Sequence, residues 1–151
     1  MGKYTLYTDG ACNKKKNGGW ACCILDENGK LLKSFSGFLA DTTNNQMELT
    51  SVLEGLKKFN QNTAEVTVIS DSSYVVNCFL QNWYIKWINN NWKNSQNDPV
   101  KNKELWISLL ILVKKFEHPI VWKHIDGHSG NEFNEICDKL AVQEYKKRET
   151  S

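Results

Sequence analysis

The order of the predicted strands and helices is the feature that most restricts the fold of this chain. Three strands come first, at 4–8, 20–25 and 31–39, and Asn28-Gly29 between the last two is a strong hairpin signal. After them we expect, in order, a helix capped by Thr43, a strand at 65–70, helices at 72–81 and 104–116, a strand at 120–125 and a helix at 131–147. A hairpin followed by alternating helices and strands predicts an α/β fold. Its five-stranded mixed sheet would have the hairpin at one edge, strands one, four and five parallel, and helices on both faces.

Size and composition indicate one globular domain over residues 1–151. Hydrophobic residues make up 40% of the chain and charged residues 24%. No apolar run approaches the roughly 18 residues that a membrane span needs, and the start of the chain does not read as a signal peptide. The five cysteines are odd in number and lack zinc-site spacing. We therefore expect free thiols, a monomer without membrane contact, and a cytoplasmic or other reducing intracellular compartment.

Four carboxylates occupy positions that the predicted topology brings together. Asp9 and Asp71 end the first and fourth strands, which become neighbours if the hairpin lies on one side. Glu48 enters from the helix between them, and Asp138 from the last helix. Four converging carboxylates repel one another unless cations bind them, and hard oxygen ligands select Mg²⁺ or Mn²⁺. The pattern favours a site for two divalent ions that catalyses phosphoryl displacement.

The segment from 126 to 138 adds a possible proton-transfer group to these carboxylates. It begins as a loop in which Gly127 and Gly130 flank His128, and it continues as a helix that carries Asp138. A histidine on a flexible loop beside a fixed acid suits a site where one group binds metal and another moves protons. The alternative is a surface histidine followed by a helix with a boundary aspartate.

The chain resembles the type 1 ribonuclease H family over nearly its full length. The matching runs are Tyr7-Thr8-Asp9-Gly10, Thr43-Asn44-Asn45-Gln46-Met47-Glu48-Leu49, Ser70-Asp71-Ser72-Ser73-Tyr74-Val75, Pro99-Val100-Lys101-Asn102, and 127–141 with Gly127-His128-Ser129-Gly130, Asn134-Glu135 and Cys137-Asp138. The resemblance implies a ribonuclease H-like fold and an endonuclease that hydrolyses the RNA strand of RNA–DNA hybrids, leaving 5′-phosphate and 3′-hydroxyl ends.

The resemblance also implies roles for individual residues. Asp9, Glu48, Asp71 and Asp138 would hold two Mg²⁺ ions, with Mn²⁺ as a substitute, and His128 would act in water activation or product release. Contacts with the hybrid are implied for Cys12, Asn13, Thr43, Asn44, Asn45, Ser73, Trp83, Trp87, Asn134 and Glu135. The tryptophan-rich stretch at about 82–103 matches the family's basic protrusion, and a solvated basic tail would follow from about 146 to 151.

Three stretches depart from the family pattern. The loop after Cys12 reads Asn13-Lys14-Lys15-Lys16-Asn17-Gly18-Gly19, and it leaves open which of Asn13 and Asn17 contacts RNA. Asp41 stands where an arginine is common, which weakens a phosphate pocket formed with Thr43. Ile88-Asn89-Asn90 lowers the charge of the protrusion. Since Arg148 is the only arginine, we expect lysines, including the run at 14–16, to meet phosphate.

Two other functions remain open at this point. One is a hybrid-binding module without activity, and the other is a recombinase, integrase or resolvase core on the same fold. The complete set of carboxylates argues against the first, and the glycine-histidine loop and the tryptophan protrusion argue against the second.

Overall fold

A computed structural model describes residues 2–149 as five strands and five helices. Their order is β1 (Gly2–Cys12), β2 (Gly18–Leu25), β3 (Leu31–Leu39), α1 (Asn44–Leu56), β4 (Ala64–Ser70), α2 (Ser73–Leu80), α3 (Trp83–Asn89), α4 (Lys103–Lys115), β5 (Val121–His124) and α5 (Glu132–Glu149). The main differences from the sequence-based prediction are a longer β1 and the additional helix α3.

The strands form one mixed sheet in the order β3-β2-β1-β4-β5. β1 pairs antiparallel with β2, and β2 pairs antiparallel with β3 through the turn at Asn28-Gly29. β1 pairs in parallel with β4, and β4 in parallel with β5. The predicted mixed sheet, with a hairpin edge and three parallel strands, is confirmed.

Helices cover both faces of the sheet, as predicted, because successive strand residues point to opposite sides. Leu6 of β1 lies in a core with Leu49 and Val52 of α1 and Trp106 of α4. The next residue, Tyr7, lies in a second core on the other face. Its partners there include Cys137 and Ala141 of α5. The sheet is therefore held between α1 with α4 on one side and α5 on the other. All five cysteines are free, as expected.

The first strand does not end at Asp9, as the sequence pattern indicated. Parallel pairing with β4 stops at Thr8 and Ser70, but antiparallel pairing with β2 continues from Asp9 opposite Ala21 to Cys12 opposite Gly18. Asp9 thus lies within β1, beside the point where its parallel neighbour ends. Asp71 follows β4 directly, so the two aspartates are placed at the same edge.

The stretch expected to protrude contains the short helix α3 and a turn closed by a bridge between Lys93 and Pro99. Trp87 of α3 anchors it to the domain, since its ring centroid lies 5.3 Å from that of buried Trp106. The Trp92 ring also packs against Trp87, with the two centroids 5.9 Å apart.

The segment expected to be a solvated tail is helical as far as the structure describes it. Lys146, Lys147 and Arg148 are exposed in the last turn of α5, and the Arg148 guanidinium lies 4.6 Å from the centroid of the Phe38 ring. Residues 150 and 151 lie outside the described range. Within 2–149, none of the helices has the length and apolar character that crossing a membrane requires.

Candidate active site

Three carboxylates meet at the edge of the sheet where β4 ends. Asp9 comes from β1, Glu48 from α1 and Asp71 from the residue after β4, and one oxygen of each lies within 4.8 Å of the others. Asp138, half-buried on α5, lines the same cleft. The full lining is Asp9, Gly10, Asn44, Asn45, Glu48, Asp71, Ser72, Ser73, Tyr74 and Asp138. The structure therefore brings together all four carboxylates that the sequence singled out.

Gly10 connects two of these carboxylates through its backbone. Its N–H donates to Asp9 Oδ1 at 2.9 Å and to Glu48 Oε1 at 2.8 Å. A Cβ at this position would lie only 2.4 Å from the backbone nitrogen of Glu48 and the carbonyl carbon of Met47. Only glycine lets α1 approach β1 closely enough for Glu48 to reach Asp9.

Burial gives these carboxylates unusual electrostatics. Asp9 is 4% exposed and Glu48 is 7% exposed. Burial, together with repulsion from Asp71 and Asp138, raises the pKa of Asp9 to about 7, although a hydrogen bond from Glu48 works in the opposite direction. Burial and the nearby Asp9 raise the pKa of Glu48 well above its ordinary value. Without a counter-charge, burial thus favours the protonated forms of Asp9 and Glu48.

The residues fit divalent cations. Glu48 Oε2 is buried and has no hydrogen-bond partner in the described structure, which is costly unless another group binds it. The donor set consists of carboxylate oxygens, which Mg²⁺ and Mn²⁺ prefer. A cation would bind the unpartnered oxygen and relieve the repulsion among the carboxylates.

Asp71 is held in place by contacts that the sequence reasoning missed. His124, the last residue of β5, has its Nε2 3.2 Å from the Asp71 carbonyl oxygen, and the Ile125 N–H donates to the Ser70 carbonyl at 3.1 Å. The signal for His124 was available, since the end of a parallel neighbour of β4 must come close to Asp71. A Cβ on Gly127 would lie 2.9 Å from Asp71 Oδ2, so the β5–α5 loop passes directly over this carboxylate.

His128 lies on that loop, exposed and with a left-handed φ of 59°. The following Asn131 caps α5: its Oδ1 accepts from the N–H groups of Phe133 at 3.1 Å and Asn134 at 3.0 Å. Asn134 is 3% exposed, with its Nδ2 lacking a hydrogen-bond partner, and Glu135 is exposed. His128, Asn134 and Glu135 do not line the carboxylate cleft.

Among the residues implied to contact a hybrid, Asn44, Asn45 and Ser73 are exposed and line the cleft. Thr43 caps α1 by accepting from the Gln46 N–H at 3.2 Å. The Gln46 side chain instead accepts from Thr42 Oγ1 at 2.8 Å and donates to Asn102 Oδ1 at 3.2 Å. It therefore links the start of α1 to the end of the protrusion, just before α4.

The remaining residues implied to contact a hybrid form contacts within the protein. Cys12 Sγ donates to the carbonyls of Asn13 at 3.4 Å and Thr42 at 3.5 Å. Asn13 uses both side-chain atoms in hydrogen bonds, its Oδ1 with its own loop and its Nδ2 with Glu149. Trp83 and Trp87 are half-buried in the protrusion, and Trp83 Nε1 donates to Gln81 Oε1 at 2.9 Å.

Comparisons with known proteins agree on one family. The model of the RNase H family matches residues 1–146. Ribonuclease H of Acetivibrio thermocellus is 47% identical over 148 residues, covering 97% of each chain. Ribonuclease H of Thermoanaerobacter sp. strain X514 is 45% identical over 143 residues, or 94% of this chain and 89% of the relative.

Solved structures share the fold at lower identity. LC9-RNase H1 superposes with a TM-score of 0.81 at 24% identity, covering 95% of this chain and 72% of the other. LC11-RNase H1, solved in complex with an RNA/DNA hybrid, superposes with a TM-score of 0.73 at 22% identity, covering 96% and 98%. With the family match along nearly the whole length, these findings show that this chain belongs to the ribonuclease H family.

Proposed function

We propose that this chain is an endonuclease that hydrolyses the RNA strand of RNA–DNA hybrids and leaves 5′-phosphate and 3′-hydroxyl ends. The observation that carries the proposal is the cluster of Asp9, Glu48 and Asp71, in which Glu48 Oε2 is buried and has no hydrogen-bond partner within residues 2–149. Asp138 adds a fourth carboxylate from the same cleft.

The four carboxylates would hold two Mg²⁺ ions, with Mn²⁺ as a substitute. Bound there, the ions would lower the pKa of the attacking water and neutralise charge on the phosphate undergoing displacement. Gly10 fixes Asp9 and Glu48 relative to each other, and His124 with the Ile125 backbone fixes the segment that carries Asp71. These contacts preorganise the ligand oxygens, so that little reorganisation is needed during the reaction.

His128 supplies the proton-transfer group of the proposal. Its loop is held on both sides of His128, since Gly127 lies against Asp71 of the site and Asn131 Nδ2 donates to the Tyr7 hydroxyl of β1 at 3.3 Å. An exposed imidazole on such a loop can approach the phosphate, accept or deliver a proton, and withdraw as the product leaves.

Recognition of the RNA strand is proposed for Asn44, Asn45 and Ser73. All three are exposed at the rim of the cleft and combine donors with acceptors. Such groups can hydrogen-bond to a 2′-hydroxyl, which RNA carries and DNA lacks. Because one chain supplies all four carboxylates and this rim, we propose that the enzyme acts as a monomer.

A cleavage assay with three labelled duplexes tests the proposal. With Mg²⁺ we expect cleavage of the hybrid in its RNA strand, and no cleavage of an RNA duplex or a DNA duplex of the same sequence. Glu48→Gln keeps the size of the side chain and removes the ligand charge, so it serves as the inactive control. Hybrid binding without cleavage would indicate an inactive binding module, and cleavage of the DNA duplex a recombinase-type nuclease.

A further inference from the structure

The loop between β1 and β2 carries a concentration of positive charge that the function proposed above does not use. Lys14, Lys15 and Lys16 are consecutive and exposed. Within residues 2–149, none of the three forms an ion pair. Adjacent like charges repel one another, so an arrangement that fixes them close together favours binding of an anion.

The backbone of this loop is held in one conformation by Asn13. Its Oδ1 accepts from the N–H groups of Lys15 and Asn17, both at 2.9 Å. The Asn13 N–H donates to the Asn17 carbonyl at 2.9 Å, and Lys16 adopts a left-handed φ of 64°. The Asn13 side chain, a candidate for contact with RNA, thus organises the positions from which the lysines extend.

Two further hydrogen bonds attach the loop to the helices that carry metal ligands. The Lys16 carbonyl accepts from the Thr42 N–H at 2.9 Å, just before α1 and Glu48. Asn13 Nδ2 donates to Glu149 Oε1 at 2.5 Å, at the far end of the helix that carries Asp138.

The fold also sets the distance of the loop from the carboxylates. Asn13 directly follows β1 and lies four residues beyond Asp9, which corresponds to at most about 13 Å of extended chain. Glu149, its partner, lies eleven residues beyond Asp138 along α5, which corresponds to about 16 Å. Phosphates along one strand of a duplex are about 3.4 Å apart along its axis, so either distance spans about four or five nucleotides.

We propose that Lys14, Lys15 and Lys16 form a phosphate-binding surface that grips the backbone of the hybrid about four or five nucleotides from the cleaved bond. The inference rests on the proposed function and adds a subsite to it. The surface supplies positive charge close to an acidic cleft that would otherwise repel phosphate. It lies on the β2 side of the cleft, whereas the protrusion follows β4 and α2 on the other side.

Salt-dependent binding tests the charge contribution. We compare the variant with Lys14, Lys15 and Lys16 all changed to Ala with a control in which Lys30, Lys114 and Lys115, exposed and remote from the cleft, are changed to Ala. Binding of a labelled hybrid is measured by fluorescence anisotropy in chelator, from about 50 to about 200 mM salt. We expect the slope of log affinity against log salt to fall by about 2–3 for the loop variant. The control should keep the wild-type slope.

Conservative replacement separates charge from structure. Changing the three lysines to Arg keeps the charge, and we expect it to preserve the slope. A slope change of two would make the affinity deficit of the alanine variant about 16-fold smaller at 200 mM than at 50 mM salt. An unchanged slope in the alanine variant would overturn the inference and show that the lysines extend into solvent without touching phosphate.

The position of the contact is tested by duplexes with a short RNA tract inside one DNA strand, which fixes the cleaved bond. With long arms on both sides, we expect the alanine variant to raise KM more than it changes kcat. Shortening one arm to about three base pairs should remove the difference in KM between the alanine variant and the wild type. Shortening the other arm should leave that difference unchanged. A difference independent of both arms contradicts the proposed position.

If the wild-type enzyme cleaves no hybrid at all, the proposed function itself fails, whereas wild-type cleavage with an unchanged slope refutes only this inference.

Discussion

At the scale of single residues, the carboxylates proposed to hold metal give the sharpest prediction. Asp9→Asn or Asp71→Asn should abolish cleavage of the hybrid and leave the fold intact, because each removes one ligand charge from a cluster within 4.8 Å. Asp26→Asn, in the turn between β2 and β3, is the matched control and should cleave normally. Cleavage assays measure turnover, and circular dichroism checks that the fold is intact. Near-normal turnover in either cleft variant would refute the two-metal site.

His128 should matter less than the carboxylates. His128→Ala should slow turnover by about 10- to 1000-fold without abolishing it, because proton transfer typically contributes about 10²- to 10⁴-fold. Affinity for the hybrid should change little. His118→Ala, another exposed histidine outside the cleft, is the control. A complete loss of activity, or a large fall in affinity, would argue against a proton-transfer role.

The sequence predicted that the four carboxylates converge because the predicted order of strands and helices brings them to one edge of the sheet. It could not show that Asn13 is consumed by its own loop, since an asparagine that closes a turn and one that binds RNA look the same in a sequence. It also missed His124, although the predicted parallel pairing of β4 and β5 already placed the end of β5 beside Asp71.

At the scale of elements, the protrusion depends on one tryptophan more than on the others. Trp87→Ala removes the ring that packs 5.3 Å from buried Trp106 and 5.9 Å from Trp92. We expect a loss of about 2–4 kcal/mol in the free energy of unfolding, somewhat less than for a fully buried tryptophan. Trp83→Ala is the control within the same helix. Among the other tryptophans, Trp83 contacts only Trp87, at 6.4 Å, so its loss should lower the free energy of unfolding clearly less.

Urea unfolding of both variants measures this difference. Equal losses would mean that Trp87 does not anchor the protrusion.

The two tryptophans are indistinguishable by spacing in the sequence, because their roles depend on which one meets Trp106 from the following helix. The end of β1 was missed for a similar reason: Asp9-Gly10 looks like a turn, and only the pairing with Gly18 and Gly19 of β2 extends the strand to Cys12.

At the scale of the whole molecule, the buried carboxylates make the stability of the metal-free protein depend on pH. The ordinary pKa of Asp9 is 3.8, and in the folded protein it is raised to about 7. Between these values the unfolded chain has released a proton that the folded protein still holds. The free energy of unfolding should therefore fall as pH rises from about 4 to about 7.

Thermal unfolding in chelator, at intervals across this range, tests the effect. Asp9→Asn cannot ionise at this position and should show a flatter profile than wild type. Mg²⁺ should raise the Tm of wild type more at pH 8 than at pH 5, because it favours the ionised carboxylates. Identical profiles for the wild type and Asp9→Asn would show that Asp9 is not the source of the pH dependence.

The overall architecture was predictable because hairpin, helices and strands alternate in an order with few possible arrangements. The helices divide between the two faces because neighbouring residues of β1 point to opposite sides. Leu6 packs in the core formed with α1 and α4, and Tyr7 packs in the core formed with α5. The close approach of α1 to β1 was not predictable, since it depends on the absence of a side chain at Gly10.

The four carboxylates are also spread along the chain in a way that matters during synthesis. A ribosome makes Asp9 first, then Glu48 and Asp71, and Asp138 only with the last helix. Because α5 packs on β1 and β2, Asp138 joins the cleft only after the rest of the sheet exists to receive it. A nascent chain therefore holds an incomplete set of these four carboxylates until Asp138 has been made and α5 has docked. On the proposed mechanism, cleavage of RNA would begin only after that docking.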